Sequence, residues 1–376
     1  MGRTILFIHG IGEIGGAERD LHTLVGGLNR SQWEPAVACP AAGPLLALFR
    51  QAGATVVPLD LAPWRKWTSF VARRSSVERL KSVIRDLRPS VIHVNDIWWV
   101  PHVLRARSGM ERPVPVAAHV RQEIEPGKAG RYELDRVDAV IAISRHVEQA
   151  LASGGVKPEK IRMIYSGIRF GPPARPAPDR AEVRSALGLS EQDVLVGTVA
   201  NVFPRKGYHV MLRALPAMIE AVPALHYAIA GTEDSAYVRS LRQLVHELGL
   251  EGRVHFAGFQ DPVQPFVAAL DLYVHPALME GFGIAVAEAM AWEKAVVATR
   301  TGGLPEIVEH EHTGLLVDPG NIDQLSQAVI ELLRDRTRRE EFAKQGAVKV
   351  RECFAVEKAV AATERVYHEL TGMDPG

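Results

Sequence analysis

The sequence predicts an α/β protein built from two doubly wound halves, and three observations carry that prediction. Short apolar runs such as TILFIH (4–9) and VLVGTV (194–199) are continuous rather than alternating, the pattern of parallel strands buried on both faces. Longer stretches with helical periodicity lie between them, giving repeated strand–helix–strand units. The alternation breaks once, at the Pro-rich FGPPARPAPDR of 170–180, and then restarts. Such a segment supports no core and reads as a semi-rigid connection.

In the first half the predicted strands are Thr4–His9, Pro35–Cys39, Thr55–Leu59, Val91–Val94, Val114–Ala118 and Ala139–Ile143. A helix is expected from about Glu18 to Asn29, after the first Gly-rich loop. In the second half they are Val194–Val199, Ala228–Gly231, Val254–Phe256, Leu272–Val274 and Ala295–Ala298. The expected domains are 1–170 and 171–355. A final helix over about 356–370 has no strand after it and is expected to dock back on the first domain.

The chain has 376 residues, 47% hydrophobic and 23% charged, which suits two ordinary globular domains and excludes disorder. Its two cysteines, Cys39 and Cys353, form no CxxC spacing, so a disulfide scaffold is excluded and a reduced compartment fits. No apolar stretch approaches the roughly 18–20 residues of a membrane span. The N-terminal run is too short for a signal-peptide core, so a cytoplasmic protein is expected.

Zero net charge hides a division. Residues 1–170 carry 24 basic and 16 acidic side chains, residues 171–376 carry 20 and 28. Much of the basic excess lies in 64–88, with eight basic residues, two acidic ones, and Trp64, Trp67 and Phe70. One reading is a peripheral contact with anionic lipid at the inner face of a membrane. The reading preferred here is a solvated helix face with snorkelling Arg stems over the sheet. No nucleic-acid partner is expected.

HGIGEIGGAE follows the first strand, and Gly10, Gly12 and Gly15 satisfy G-x-G-x-x-G. An NAD-dependent dehydrogenase would also need an acid at the end of the second strand. That strand, PAVAC, ends in Cys39-Pro40 instead. What survives is Gly15-Gly16 at a helix N-terminus facing an anionic group, weighed against a plain tight turn.

The second half is richer. TVANVFPRKGYHVMLRAL puts Arg205 and Lys206 at the C-terminal end of a strand, the rim where α/β sheets bind ligands. Such cations neutralise a diphosphate through charge-assisted hydrogen bonds. HPALMEGFGIAVAEAMA places Glu280 before a Gly-Phe-Gly turn and Glu288 on the following helix. The amides of Phe282, Gly283 and Ile284 then stand at a helix N-terminus, an anion site needing no metal. Both carboxylates can accept hydrogen bonds from sugar hydroxyls.

The E-x7-E spacing of EGFGIAVAE, followed by ATRTGGLPEIV and HTGLLVDPGN, resembles the retaining glycosyltransferases of family 4. GGAE, VPVAAHV and VDAVIAISRHV extend the resemblance over nearly the whole chain. It implies the GT-B fold: two Rossmann-like domains facing across a cleft, around a UDP or GDP sugar. Glu288 would bind the ribose hydroxyls and Glu280 the transferred sugar. Lys206, with the Gly16 amide, would hold the diphosphate, and His119 would sit beside the anomeric centre. Phe259 and Gln260, within GFQD, would line the base. The acceptor would be a lipid-linked or surface-polysaccharide glycan.

Two positions depart from the family pattern. Asn201 stands where an Arg is usual, five residues before Lys206, and Arg205 is its available substitute. Ser166-Gly167-Ile168-Arg169 replaces N-G-x-D. The chain contains no D-x-D, so no cofactor or metal is expected, and the EHEH run at 309–312 reads as a polar loop before a strand. The resemblance implies front-face attack, with a phosphate oxygen taking the acceptor proton. The rival readings are the dehydrogenase and a catalytically silent relative that binds nucleotide or glycan.

Overall fold

The computed structural model describes residues 2–64, 70–110, 112–122, 124–125, 127–171, 179–232 and 236–373. The chain folds as two compact units, residues 1–167 with 356–376, and residues 168–355. Most of the predicted Pro-rich connection, 172–178, lies outside the described residues.

The first unit holds a parallel sheet of β1 (Arg3–Ile8), β2 (Trp33–Cys39), β3 (Thr55–Pro58), β4 (Val91–Val94), β5 (Val116–Val120), β6 (Ala139–Ala142) and β7 (Ile161–Met163). Its order is β3-β2-β1-β4-β5-β6-β7. Ile5 of β1 lies beside Pro35 of β2 and Val91 of β4, so β1 is central and its apolar run is fully buried. The order reverses between β1 and β4, the kind of point at which open α/β sheets bind ligands beyond their strand C-terminal ends.

Strand β5 starts two residues later than the sequence suggests. Pro113 and Pro115 precede it, and proline has no N–H for a ladder. Strand β7 was not expected at all.

A helix at Val356–Thr371 packs in this unit, where Val356, Val360 and Tyr367 join Leu21, Leu24 and Trp33 in one core. The Tyr367 ring meets Trp33 edge-on at 5.7 Å. Gly27 makes room for it, since a Cβ there would stand 2.7 Å from Val360.

The basic stretch forms a helix at Phe70–Leu87 whose buried residues Ser76, Leu80 and Ile84 recur every four positions. That spacing puts one stripe on the core and leaves Arg74, Arg79 and Arg85 exposed. Trp64 is not a free lipid anchor: Arg73 and Arg105 lie over its ring and His102 meets it edge-on. Trp67 and the side chain of Phe70 lie outside the described residues. Among the described residues no helix is long and apolar enough to cross a membrane.

The second unit holds β8 (Val194–Val199), β9 (Leu225–Ala230), β10 (Val254–Gly258), β11 (Leu272–His275), β12 (Val296–Thr299) and β13 (Leu315–Val317). All pairings are parallel, in the order β10-β9-β8-β11-β12-β13. Here the order reverses between β8 and β11. Buried tyrosines bind that junction: Tyr227 donates to Thr198, which donates to the Val274 carbonyl, and Tyr208 donates to Ala200. A buried hydroxyl needs such a partner. Strand β13 is the strand expected after the EHEH loop.

Candidate functional site

The loops leaving β8 and β11 meet at the second unit's reversal point. The loop after β8 carries Arg205 and Lys206, and the Arg205 carbonyl accepts from the amides of Leu278 and Met279 in the loop after β11. Gly207, at φ +71°, lies so close to Pro276 that a Cβ would stand 1.8 Å from its carbonyl oxygen. The loop after β12 is equally tight: Gly302, at φ +54°, would place a Cβ 1.5 Å from the Glu280 carbonyl. Thr299 and Thr301 donate to the carbonyls of Ala277 and Leu278. The GGLPE motif therefore seats the turn that bears Glu280.

Gly207→Ala and Gly302→Ala should each lose more stability than Gly249→Ala. Backbone strain alone costs about 1–3 kcal/mol at a left-handed position. Gly249 shares the positive φ, but a Cβ there meets nothing within 4 Å. Thermal unfolding of the three variants measures the difference due to the clash.

Within this frame Glu280 is held at every oxygen. Oε2 accepts from Lys206 Nζ at 2.5 Å and from His275 Nε2 at 2.8 Å, and Oε1 accepts from the Gly281 amide at 3.1 Å. Burial alone would raise the Glu280 pKa, but the Lys206 charge and the His275 hydrogen bond hold it far below the usual carboxylate range. His275, at the end of β11, is 1% exposed, and burial lowers its pKa. Sequence reasoning missed it; the signal available was a His at a strand end five residues before Glu280.

Gly283, at φ +111°, opens the helix Ile284–Ala291, packing where a Cβ would meet Leu304 at 2.5 Å. The first amides of such a helix have no acceptors within it. Glu288 is half-buried on this helix. Burial, and then the charges of Glu288 and Glu280, raise the Tyr273 pKa well above its ordinary value. Arg205 is exposed, with its guanidinium 5.8 Å from the Phe203 ring. Phe259 is 49% exposed after β10, and the Gln260 side chain donates to the Ala257 carbonyl.

The first unit gathers charge at the ends of β1, β4 and β5. His9, fully buried, lies 3.1 Å from Glu18 on one side and 3.1 Å from Asp96 on the other. Burial would lower its pKa, yet the neighbouring carboxylates of Asp96 and Glu18 raise it to about 9. Arg121 pairs with Asp20 and donates to Asn95 at 2.8 Å. His119, 4% exposed, lies against His93 and Arg121. None of the His9–Glu18–Asp96 cluster was expected from the sequence.

Gly15 caps the helix Gly16–Gly27, and its amide donates to the Glu18 carboxylate at 2.8 Å. Gly10 has a packing reason, because a Cβ would overlap the Trp99 ring at 2.0 Å. Gly12 lies against the Ala42 carbonyl, 3.0 Å from where its Cβ would be. With β2 ending in Cys39 and no acid there, the glycine spacing serves this loop's packing, and the dehydrogenase reading falls.

The EHEH loop is structural: His310 accepts from the Leu316 amide, and Glu311 pairs with Arg338. Among the described residues no three His, Cys, Asp or Glu side chains converge as a metal site.

Known proteins agree with this architecture. A sequence profile of the glycosyl transferases group 1 matches residues 179–349, and one of glycosyltransferase family 4 matches residues 14–170. A lipopolysaccharide core biosynthesis mannosyltransferase of Rhizobium meliloti is 30% identical over 64% of this chain and 68% of its own length. A GDP-mannose-dependent alpha-(1-6)-phosphatidylinositol monomannoside mannosyltransferase of Mycobacterium tuberculosis is 32% identical over 60% of this chain and 58% of its own. The crystal structure of Anabaena HepE in complex with UDP and glucose superposes with a TM-score of 0.84, at 25% identity, covering 99% of this chain and 100% of that one. Family sequence in each half, and two parallel sheets in the GT-B arrangement of elements, lead to one conclusion: the chain belongs to the glycosyl transferases group 1, of the family 4 type.

Proposed function

We propose that this protein is a retaining glycosyltransferase that works without a bound metal, moving a sugar from a nucleoside-diphosphate sugar to a hydroxyl of a glycan or lipid-linked acceptor. The observation that carries the reading is the convergence of Lys206, Glu280 and a helix N-terminus at the second unit's reversal point. Departure of a nucleoside diphosphate builds negative charge on its oxygens, and donors already aimed there are a large catalytic contribution. Lys206, Arg205 and the amides of Phe282, Gly283 and Ile284 supply those donors.

Glu280, fixed and ionised, accepts from hydroxyls of the transferred sugar. Glu288 accepts from the ribose, and Phe259 with Gln260 flanks the base. In the first unit, the Gly15–Gly16 turn offers the Gly16 amide to an anion, and His119 offers a neutral N–H to an oxygen of the reacting partners. No carboxylate here stands out as a nucleophile. The acceptor hydroxyl then enters on the face the diphosphate leaves, with a phosphate oxygen taking its proton. The lipid-linked acceptor class is supported by the lipopolysaccharide and phosphatidylinositol mannoside relatives.

A thermal-shift panel of UDP, GDP, their sugars and NAD tests the donor class. One nucleotide family should raise the melting temperature, since ligand at 100 times its Kd adds about 2.7 kcal/mol to folded-state stability. Transfer from that donor should persist in EDTA. A shift with NAD alone, or complete loss of transfer in the chelator, would overturn the proposal.

A further inference from the structure

Three aromatic side chains from three elements form a chain of hydrogen bonds in the first unit. Tyr367, on the last helix, has its hydroxyl 2.8 Å from Nδ1 of His93 on β4. Nε2 of His93 lies 3.2 Å from Nδ1 of His119 on β5. The same His119 Nδ1 is 3.2 Å from a terminal nitrogen of Arg121.

The proton positions follow from what each group can do. Arginine only donates, so His119 Nδ1 is an acceptor and carries no proton. His93 Nε2 therefore donates, which leaves His93 Nδ1 as an acceptor and makes the Tyr367 hydroxyl its donor. The proton a neutral ring nitrogen carries is set by the bond its other nitrogen makes. Burial keeps both rings neutral, lowering His119 to about 3 and His93 well below its ordinary value.

What remains is the proton on His119 Nε2. That nitrogen is buried with no hydrogen-bond partner among the described residues, and so is Ser166 Oγ. Both residues line a cavity of about 20 Å³ together with Asp20, Thr23 and Thr363. A volume of that size holds one oxygen atom the size of a water.

We propose that Arg121 and His93, the latter backed by Tyr367, are positioning residues, which together hold His119 with its proton on Nε2 and so keep that N–H free to donate to an oxygen. The last helix thereby acts on the chemistry as well as on the first unit's core. This deepens the role assigned to His119 above and rests on it for the effect on turnover, but not for the tautomers.

The test is long-range 1H–15N NMR of the full chain labelled at histidine ring nitrogens, without donor or acceptor. His93→Gln and His119→Gln assign the two rings. In the wild type both should be neutral and protonated at Nε2. Tyr367→Phe removes one hydroxyl, and the Nδ1–H population of His93 should rise about fivefold, with His119, still facing Arg121, moving less. Glutamine at 93 donates without help, so in His93→Gln the further change Tyr367→Phe should leave His119 unaltered.

With a working donor, Tyr367→Phe should lower kcat about tenfold at nearly constant KM, the scale on which a partner of a reacting group acts. A His119 protonated at Nδ1 in the wild type would overturn the proposal. So would a Tyr367→Phe variant that melts lower with both tautomers unchanged. The expected tautomers without turnover on any donor would uphold the relay and remove the transferase reading instead.

Discussion

Lys206→Ala is expected to lower kcat for glycosyl transfer about 10²–10³-fold, the cost of removing one aimed donor from a developing oxyanion. In the resting protein Lys206 balances Glu280, with both side chains only 12% and 11% exposed. Removing one member of a buried pair leaves the other charged and unpaired, at a cost of about 3–5 kcal/mol. Here His275 and the Gly281 amide remain on Glu280, so the loss of stability should fall at the low end.

The two effects separate by experiment: calorimetry reads stability, and steady-state kinetics of the folded variant reads catalysis. Arg205→Ala should lose less than Lys206→Ala, because Arg205 is exposed and lies over Phe203. Equal losses would mean that Arg205 takes over the role of the family's missing Arg at Asn201. Full activity in Lys206→Ala would remove Lys206 from the mechanism.

The second large effect is alkaline loss of stability in the first unit, through His9. Its folded pKa of about 9 lies above the ordinary 6.5 because Asp96 and Glu18 outweigh burial. A raised pKa means that the folded state binds the proton more tightly than the unfolded chain. The stabilisation is therefore complete below pH 6.5 and is lost as pH rises through 9. Over that window the loss approaches about 3 kcal/mol, at 1.36 kcal/mol per pKa unit.

Glu280 has the opposite sign, since its lowered pKa gives stability present above the ordinary carboxylate range and lost on the acid side. Five of the six tryptophans, Trp33, Trp64, Trp67, Trp98 and Trp99, fall in the first unit's residues, so fluorescence-monitored urea unfolding reads mostly that unit. The wild type should weaken from pH 6.5 to 9.5, and His9→Gln should be nearly flat over the same range. A flat wild type would mean that His9 is not charged between its two carboxylates.

Much of this was legible in the sequence, and the limits have physical causes. Central strands such as β1 and β8 are buried on both faces, so their apolar runs are unbroken. The missed strand, β7, and β13, foreseen only as a strand after the EHEH loop, are three-residue edge strands, too short to show a period. In β7 the middle residue is Arg162, whose guanidinium reaches Glu369 rather than the core.

Lys206 and Glu280 were each readable from local motifs, but their pairing was not. They stand 74 positions apart and meet because β8 and β11 are neighbours. The His9 cluster stayed hidden for the same reason: β1 and β4 are adjacent in the sheet but remote in the chain. A motif shows residues that share a turn, whereas parallel pairing brings together the ends of distant strands.

A crystal structure with UDP or GDP, whichever the thermal panel selects, tests the central claim most directly. The account predicts diphosphate oxygens on Lys206 Nζ and on the amides of Gly283 and Ile284, with Glu288 accepting from the ribose hydroxyls. A nucleotide bound elsewhere, with Lys206 still locked to Glu280 and Glu288 facing solvent, would contradict it.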